Sequence, residues 1–206
     1  MLPNNTAYRM MYSALNLRSY LEANERLNKS YFFLCIGFFN ITLPSYIPRE
    51  SDRTQIFWHR ARAVKEQTAK IARSPLLVSR VQEMAKEREN RARMWARLDD
   101  GVAPTTAPSQ RRLFTDEENS APSVALMGLS MLGNLDGIYR HSTFPAIKLH
   151  SMTTGSRQRK GGMLLFSYTF VGKLWLSWGY DVNGFDDAVV QRFWRNFLNC
   201  VDVFLL

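Results

Sequence analysis

A pair of strands and their turn can be recognised in Met163-Leu-Leu-Phe-Ser-Tyr-Thr-Phe-Val-Gly-Lys-Leu-Trp-Leu-Ser-Trp-Gly-Tyr180. Its two halves, 163–170 and 174–180, are rich in the aromatic and apolar residues that favour strands. The three-residue connection Val171-Gly172-Lys173 puts a glycine where a hairpin loop needs a positive φ. The stretch therefore predicts a β-hairpin.

Outward from the hairpin, the second half of the chain predicts two more strands and a closing helix. One strand is expected at 124–132, where Gly133 ends the apolar run, and the other at 144–152. The helix is expected to begin near Asp186 or Asp187, since carboxylates suit a helix N-terminus. One broad apolar face of this helix carries Val189, Val190, Phe193, Trp194, Phe197, Val201 and Phe204, and it is expected to pack on the sheet.

The first half predicts a helix, a buried strand and a helical pair. Residues 1–30 favour a helix followed by an extended segment. The run 31–44 is aromatic-rich and predicts a buried strand, in which Gly37 marks a bulge or a close backbone approach. Two apolar stripes at helical spacing follow, and Ser74 with Pro75 is a typical cap and first residue for the second helix. The stripes consist of Phe57, Ala61, Val64, Thr68 and Ile71, and of Leu77, Val81, Met84, Ala85 and Trp95.

These elements indicate the α/β class, with a mixed β-sheet covered by helices. At 206 residues and 46% hydrophobic content, the chain is expected to form a single domain over 1–206, or half of a two-lobed one. Residues 99–123 combine glycine, prolines and an acidic patch without periodicity, which predicts an exposed loop or linker.

Charge and cysteine content bear on partners and compartment. The net charge of +9 comes mostly from residues 60–97, where a solvated helix face accounts for it. No nucleic-acid recognition motif accompanies that charge, which argues against a nucleic-acid partner, although a basic nucleic-acid-binding domain stays open as an alternative. Cys35 and Cys200 are predicted to be buried thiols of a reducing, cytoplasmic compartment. The longest apolar run, 31–39, is too short for a membrane span of about 20 residues.

Neither a catalytic nor a metal-binding residue is assigned from the residue pattern. The three histidines are His59, His141 and His150, and none stands in a recognisable catalytic arrangement. No cluster of His, Cys, Asp or Glu has metal-ligand spacing. The segment 155–162 is a basic, glycine-containing loop without a P-loop ending. It is either a solvated turn or a site where Arg157, Arg159 and Lys160 attract the phosphates of a coenzyme.

Several segments, taken in order, resemble one enzyme family. They are Tyr12-Ser-Ala-Leu-Asn-Leu-Arg18, Gly37-Phe-Phe-Asn-Ile-Thr-Leu-Pro44, Phe57-Trp-His-Arg-Ala-Arg-Ala-Val-Lys65, Ser130-Met-Leu-Gly133 and Gly172-Lys-Leu-Trp-Leu-Ser-Trp-Gly-Tyr-Asp181. Together they resemble the C-terminal lobe of condensation-type and alcohol-acetyltransferase-like acyltransferases, such as fungal acetyltransferases of specialised metabolism. Met131 departs from the Ser-Asn-Leu-Gly element of that family, and Asn134 stands as its substitute.

The resemblance implies one lobe of a chloramphenicol-acetyltransferase-like two-lobed fold. It implies acyl-CoA as a co-substrate, no tightly bound cofactor, and a hydroxyl-bearing small molecule as acceptor. Ser130, Gly133 and Asn134 would then contact the coenzyme, together with the basic residues of 155–162.

In that family a His-x-x-x-Asp histidine of the N-terminal lobe takes the proton of the acceptor hydroxyl. Here the histidines are followed four residues later by Ala63, Pro145 and Thr154, so the motif is missing. The chain is therefore expected to have negligible transferase activity alone and to need a separate N-terminal lobe. A non-catalytic interaction or structural remnant of the fold is the alternative.

Overall fold

Two strands, two helices, three strands and a closing helix follow one another in the computed structural model, which describes residues 8–20, 35–47, 52–101, 125–139, 141–158 and 161–205. The strands in these ranges are β1 (Tyr8–Asn16), β2 (Ile36–Pro44), β3 (Gly128–Asn134), β4 (Met163–Phe170) and β5 (Lys173–Tyr180). The α-helices are α1 (Arg53–Ala72), α2 (Leu77–Asp99) and α3 (Asp187–Leu205), and short 3₁₀ turns cover Arg18–Tyr20 and His141–Thr143. The predicted α/β class is confirmed.

The described strands form one open, mixed sheet in the order β2-β1-β3-β4-β5. β3 pairs in parallel with both β1 and β4, whereas β4 and β5 are antiparallel. The register between β3 and β4 shifts between Met131 and Gly133, and Gly133 has a φ of 77°. β3 therefore lies at the centre of the sheet and carries an irregularity near its carboxyl end.

The chain divides into two compact units. The first contains β3, β4, β5 and α3, with the start of β1, the end of β2 and most of α1. Its most buried apolar side chains are Ile41, Met127, Leu129, Leu165, Tyr168, Phe170 and Val190. The second contains α2 with the remaining parts of β1, β2 and α1, and it buries Leu17, Phe39 and Leu77.

Helix α3 begins where the sequence predicts. Asp186 Oδ1 accepts a hydrogen bond from the backbone N–H of Val189 at 2.9 Å, as an N-cap residue does. Val190 is buried, and Trp178 of β5 packs 5.6 Å from the ring of Trp194. Val189 and Phe193 stay exposed, by 51% and 40%, so the buried stripe is narrower than predicted.

The predicted hairpin is confirmed with a shorter loop. Phe170 pairs with Lys173, which leaves only Val171 and Gly172 in the connection. Both have positive φ, 52° and 65°, as a type I′ turn requires. The three-residue prediction was wrong by one residue because Lys173 belongs to the β5 ladder.

The predicted helical pair and its break are confirmed. α1 ends at Ala72 and α2 begins at Leu77, and Ser74 Oγ accepts a hydrogen bond from the N–H of Leu76 at 3.3 Å. Ion pairs at helical spacing line the outer face of α2, joining Lys86 to Glu83, Arg91 to Glu87 and Arg93 to Glu89. The solvated helix face predicted from the charge pattern is confirmed on α2.

Gly37 makes the predicted close backbone approach. A Cβ placed on it would lie 2.6 Å from Val81 Cγ2. The predicted strand is described from Ile36 onward, and residues 31–34 lie outside the described ranges. Most of the predicted linker, 102–123, also lies outside them.

Three other predictions were wrong. The described part of the predicted N-terminal helix is β1, whose pairing with β3 overrides the local preference. Residues 144–152 form no strand because β3 and β4 pair directly. Cys35 is half-buried and Cys200 is exposed, and both are free thiols, so the predicted burial is wrong for Cys200, which lies off the inner stripe of α3.

Candidate functional site

The carboxyl ends of β3 and β4 meet at one edge of the sheet because the two strands are parallel. In α/β sheets this edge is where ligands commonly bind. The predicted coenzyme-contacting residues Ser130, Gly133 and Asn134 all belong to β3. The edge around the carboxyl end of β3 is therefore the candidate site.

The residues of β3 serve different purposes. Ser130 is half-buried and lies opposite Phe166 of β4. Gly133 is exposed and has a left-handed backbone, and a Cβ added to it would meet nothing within 4 Å. Asn134 Oδ1 accepts a hydrogen bond from the N–H of Asp136 at 3.0 Å. Gly133 and Asn134 thus shape the turn that leaves the strand.

Asp136 is the centre of this turn, and no pattern in the sequence singles it out. Its Oδ1 accepts a hydrogen bond from the N–H of Val171 at 2.7 Å, and its Oδ2 accepts one from the N–H of Gly172 at 2.8 Å. The Gly172 N–H, followed by His141 and the Val171 N–H, holds the pKa of the Asp136 carboxyl below its ordinary value. The loop after β3 is thereby fastened to the tip of the β4–β5 hairpin.

His141 completes a carboxylate–imidazole pair. Its Nε2 lies 3.0 Å from Asp136 Oδ1. Because an ionised carboxylate can only accept, Nε2 carries the hydrogen and the neutral ring keeps Nδ1 as its basic nitrogen. The ring packs between Tyr139 and Phe170, with centroids 4.9 and 5.4 Å away, and its side chain is 38% exposed.

In an acid–base catalytic arrangement, a carboxylate orients a histidine, and the histidine activates a hydroxyl or thiol. Asp136 and His141 provide the first of these two contacts, because the carboxylate sets the tautomer and the orientation of the imidazole. Within the described ranges, no serine, threonine or cysteine side chain is hydrogen-bonded to His141. Both carboxylate oxygens of Asp136 also accept hydrogen bonds from the backbone of the hairpin turn. The geometry supports a structural role for the pair, which joins the loop after β3 to the hairpin turn, and among the described residues around His141 there is no complete catalytic set.

Arg157 lies on a segment that crosses the β4–β5 hairpin. Ser177 Oγ donates to the carbonyl of Thr154 at 2.8 Å, and the Tyr168 hydroxyl donates to the carbonyl of Met152. Gln158 lies against Gly179, which pairs with Leu164 near the amino end of β4. Met152, Thr154 and Gln158 therefore lie against the hairpin, whereas Gly155, Ser156 and Arg157 between them are exposed.

The structure places the Arg157 segment away from Gly133 and Asn134 along β4. Gly133 lies opposite Tyr168, four positions along β4 from the Leu164 level, or roughly 13 Å at the usual strand rise. Arg157 itself is exposed. Arg159 and Lys160 lie outside the described residues. Ser130 lies opposite Phe166, between the Leu164 and Tyr168 levels, so only Gly133 and Asn134 are well separated from Gln158 along β4.

The remaining histidines, His59 and His150, are exposed, one on α1 and the other in the segment before Arg157. In the part of the chain that the structure describes, no group of three or more His, Cys, Asp or Glu side chains could hold a metal ion.

No described helix is long and apolar enough to cross a membrane. No family model, curated protein or solved structure matches the chain.

Proposed function

We propose that this chain is the C-terminal lobe of a CoA-dependent O-acyltransferase with a chloramphenicol-acetyltransferase-like, two-lobed fold. It would act in the cytoplasm, where acyl-CoA donates an acetyl or related acyl group to a hydroxyl of a specialised metabolite. One observation carries the proposal. Three of the five segments that resemble the family lie on the neighbouring strands β2, β1 and β3, and a fourth belongs to the hairpin that extends the same sheet, while 57–65 lies on α1.

The chemistry divides between two lobes. The acceptor hydroxyl oxygen attacks the thioester carbonyl, a C–O bond forms and the C–S bond breaks, and a base passes the hydroxyl proton to the departing thiolate, so that free coenzyme A leaves as its thiol. In this chain His141 is engaged with Asp136, and the family's His-x-x-x-Asp spacing is missing. The base is therefore proposed to come from a separate N-terminal lobe.

The contribution proposed for this lobe is coenzyme binding. Ser130, Gly133 and Asn134 would contact the coenzyme near the carboxyl end of β3. Arg157 would meet its phosphates, together with Arg159 and Lys160, because guanidinium and ammonium groups bind phosphate strongly. An extended ligand such as coenzyme A would reach both Arg157 and the turn at Gly133 and Asn134.

Equilibrium dialysis of acetyl-CoA against the purified chain tests the proposal. We expect measurable binding that Arg157→Glu weakens about tenfold, the effect of losing one charge-assisted hydrogen bond. Arg192→Glu, on the exposed side of α3, is the matched control and is expected to leave binding unchanged. Thioester consumption by the chain alone is expected to be negligible.

Two results would overturn parts of this proposal. If acetyl-CoA does not bind, or binds equally to both arginine variants, the coenzyme role is wrong and a non-catalytic domain becomes the better interpretation. If the chain consumes acetyl-CoA and a His141→Ala variant does not, the base lies in this lobe.

A further inference from the structure

A depression on helix α1 is the strongest feature that the proposed function leaves unused. Trp58, Ala61, Arg62 and Lys65 line it, and its volume is about 470 Å³. The depression is shallow and open to solvent, and its lining belongs to one helix. The lining residues are spaced as i, i+3, i+4 and i+7, so they form one stripe of α1, here called the Trp58 surface.

Trp58 presents a fixed aromatic platform. Its side chain is 53% exposed, which leaves much of an apolar indole in contact with water. The neighbouring Phe57 ring meets the indole edge-on at 5.2 Å and stacks on Phe204 of α3 at 4.4 Å. Trp58 thus contacts one ring of the half-buried Phe57–Phe204 pair while about half of its surface stays open to water.

The Trp58 surface is also positively charged. Arg62 and Lys65 are exposed, and none of the carboxylates in the described ranges is paired with either. On α2, by contrast, three cations are paired with glutamates one turn away. An aromatic platform with two unneutralised cations suits a ligand that combines a flat ring and negative charge.

We propose that the Trp58 surface binds a purine nucleotide. The base stacks on the Trp58 indole, and the phosphates meet the Arg62 guanidinium and the Lys65 ammonium. Free nucleotides and the phosphoadenosine end of coenzyme A share this chemistry. The free-nucleotide source goes beyond the proposed acyltransferase function, whereas the coenzyme source rests on it.

Isothermal titration of the full chain with ADP, and separately with CoA, tests the assignment. We expect Trp58→Ala to weaken ADP binding about tenfold, the loss of one stacked base, and Arg62→Glu to weaken it at least as much. Trp58→Phe keeps an aromatic face and is expected to retain most of the affinity. Lys70→Glu makes the same charge change on another side of α1 and is expected to alter binding less than twofold.

The two ligands separate the outcomes. If Trp58→Ala weakens both ADP and CoA, the nucleotide is the coenzyme's own end; if it weakens ADP alone, the ligand is a free nucleotide. Absent ADP binding, or equal ADP binding by Trp58→Ala and the unchanged chain, would overturn the inference, even if a single-stranded oligonucleotide binds. CoA binding that depends on Arg157 but not on Trp58 would leave the acyltransferase proposal intact. ADP binding without CoA binding would overturn the acyltransferase proposal and leave the nucleotide site at Trp58 standing.

Discussion

The Asp136 carboxylate lies 2.8 Å from the backbone nitrogen of Gly172, although 36 residues separate the two in sequence. The loop that leaves β3 therefore closes the turn between β4 and β5. A second carboxylate acts at the other end of this hairpin, where Asp181 Oδ2 accepts the N–H of Gly161 at 2.8 Å. Each end of the hairpin is thus fastened by an aspartate from outside its two strands.

Replacing Asp136 is expected to lower stability and to change its dependence on pH. The bonds from Gly172, His141 and Val171 place the folded-state pKa of Asp136 below its ordinary value of 3.8. The carboxylate's contribution is therefore fully present above pH 3.8 and is lost as the pH falls through the lowered pKa. Thermal unfolding of the unchanged chain and Asp136→Asn should differ most at pH 6–7.

The difference between these two proteins should shrink as the pH falls below about 3.8. Asp202→Asn, an exposed change on α3, is the control and should unfold like the unchanged chain at every pH. A difference that persists undiminished at low pH would show that the Asp136 charge is not the cause.

Val171→Asn is expected to stabilise the hairpin. Val171 is β-branched and has a φ of 52°, a left-handed conformation that costs roughly 1–2 kcal/mol for most residues and less for asparagine. Asparagine followed by glycine is also the favoured pair for a type I′ turn. Urea unfolding should show a free energy of unfolding higher by about 1 kcal/mol, whereas Val171→Ile should show no gain. A loss of stability in the asparagine variant would contradict this account of the turn.

Gly37→Ala is expected to destabilise the chain by about 1–3 kcal/mol, the usual cost of overpacking. The added Cβ would meet Val81 Cγ2 at 2.6 Å and Leu17 Cδ1 at 3.3 Å. Gly155→Ala, where a Cβ meets nothing within 4 Å, is the matched control. Adding Val81→Ala to Gly37→Ala should recover part of the loss in a double-mutant cycle. Strictly additive effects would rule out the close approach as the cause.

Tyr180→Phe is expected to lower the stability of the folded chain at neutral pH and to have little effect on it at high pH. The Tyr180 hydroxyl donates to Asp187 Oδ1 at 2.9 Å, which raises the pKa of the phenol above its ordinary value of 10.0. This contribution is fully present below pH 10.0 and is lost as the pH rises through the raised pKa. Chemical unfolding between pH 8 and 12 should therefore bring the two proteins together, while the exposed control Tyr8→Phe shows no such convergence.

Local patterns predicted much of the fold. The Ser74–Pro75 pair located the start of α2, and Asp186 located the start of α3, because capping depends on residues a few positions apart. Glycine at 172 located the hairpin turn for the same reason. Local preference failed for β1, where pairing with β3 settles the conformation.

The candidate site was predicted less completely. Ser130, Gly133 and Asn134 were proposed through a resemblance, and the structure places all three on β3. Asp136 and His141 were not found as a pair, because a spacing of five residues brings two side chains together only around a particular turn. The predicted apolar stripe of α1 runs through Phe57 and leaves Trp58 off it, but no motif in the sequence marks the exposed Trp58 as a binding residue.

The hairpin, the helix caps and the break between α1 and α2 follow from the order of residues alone. They depend on backbone dihedrals and hydrogen bonds between near neighbours, which a short stretch of residues specifies. Long-range packing, by contrast, makes 8–16 a strand, keeps 144–152 outside the sheet, and lets Asp136 close a turn 36 residues away. Those outcomes depend on which distant segments meet, because strand pairing satisfies backbone groups with partners that no local pattern contains.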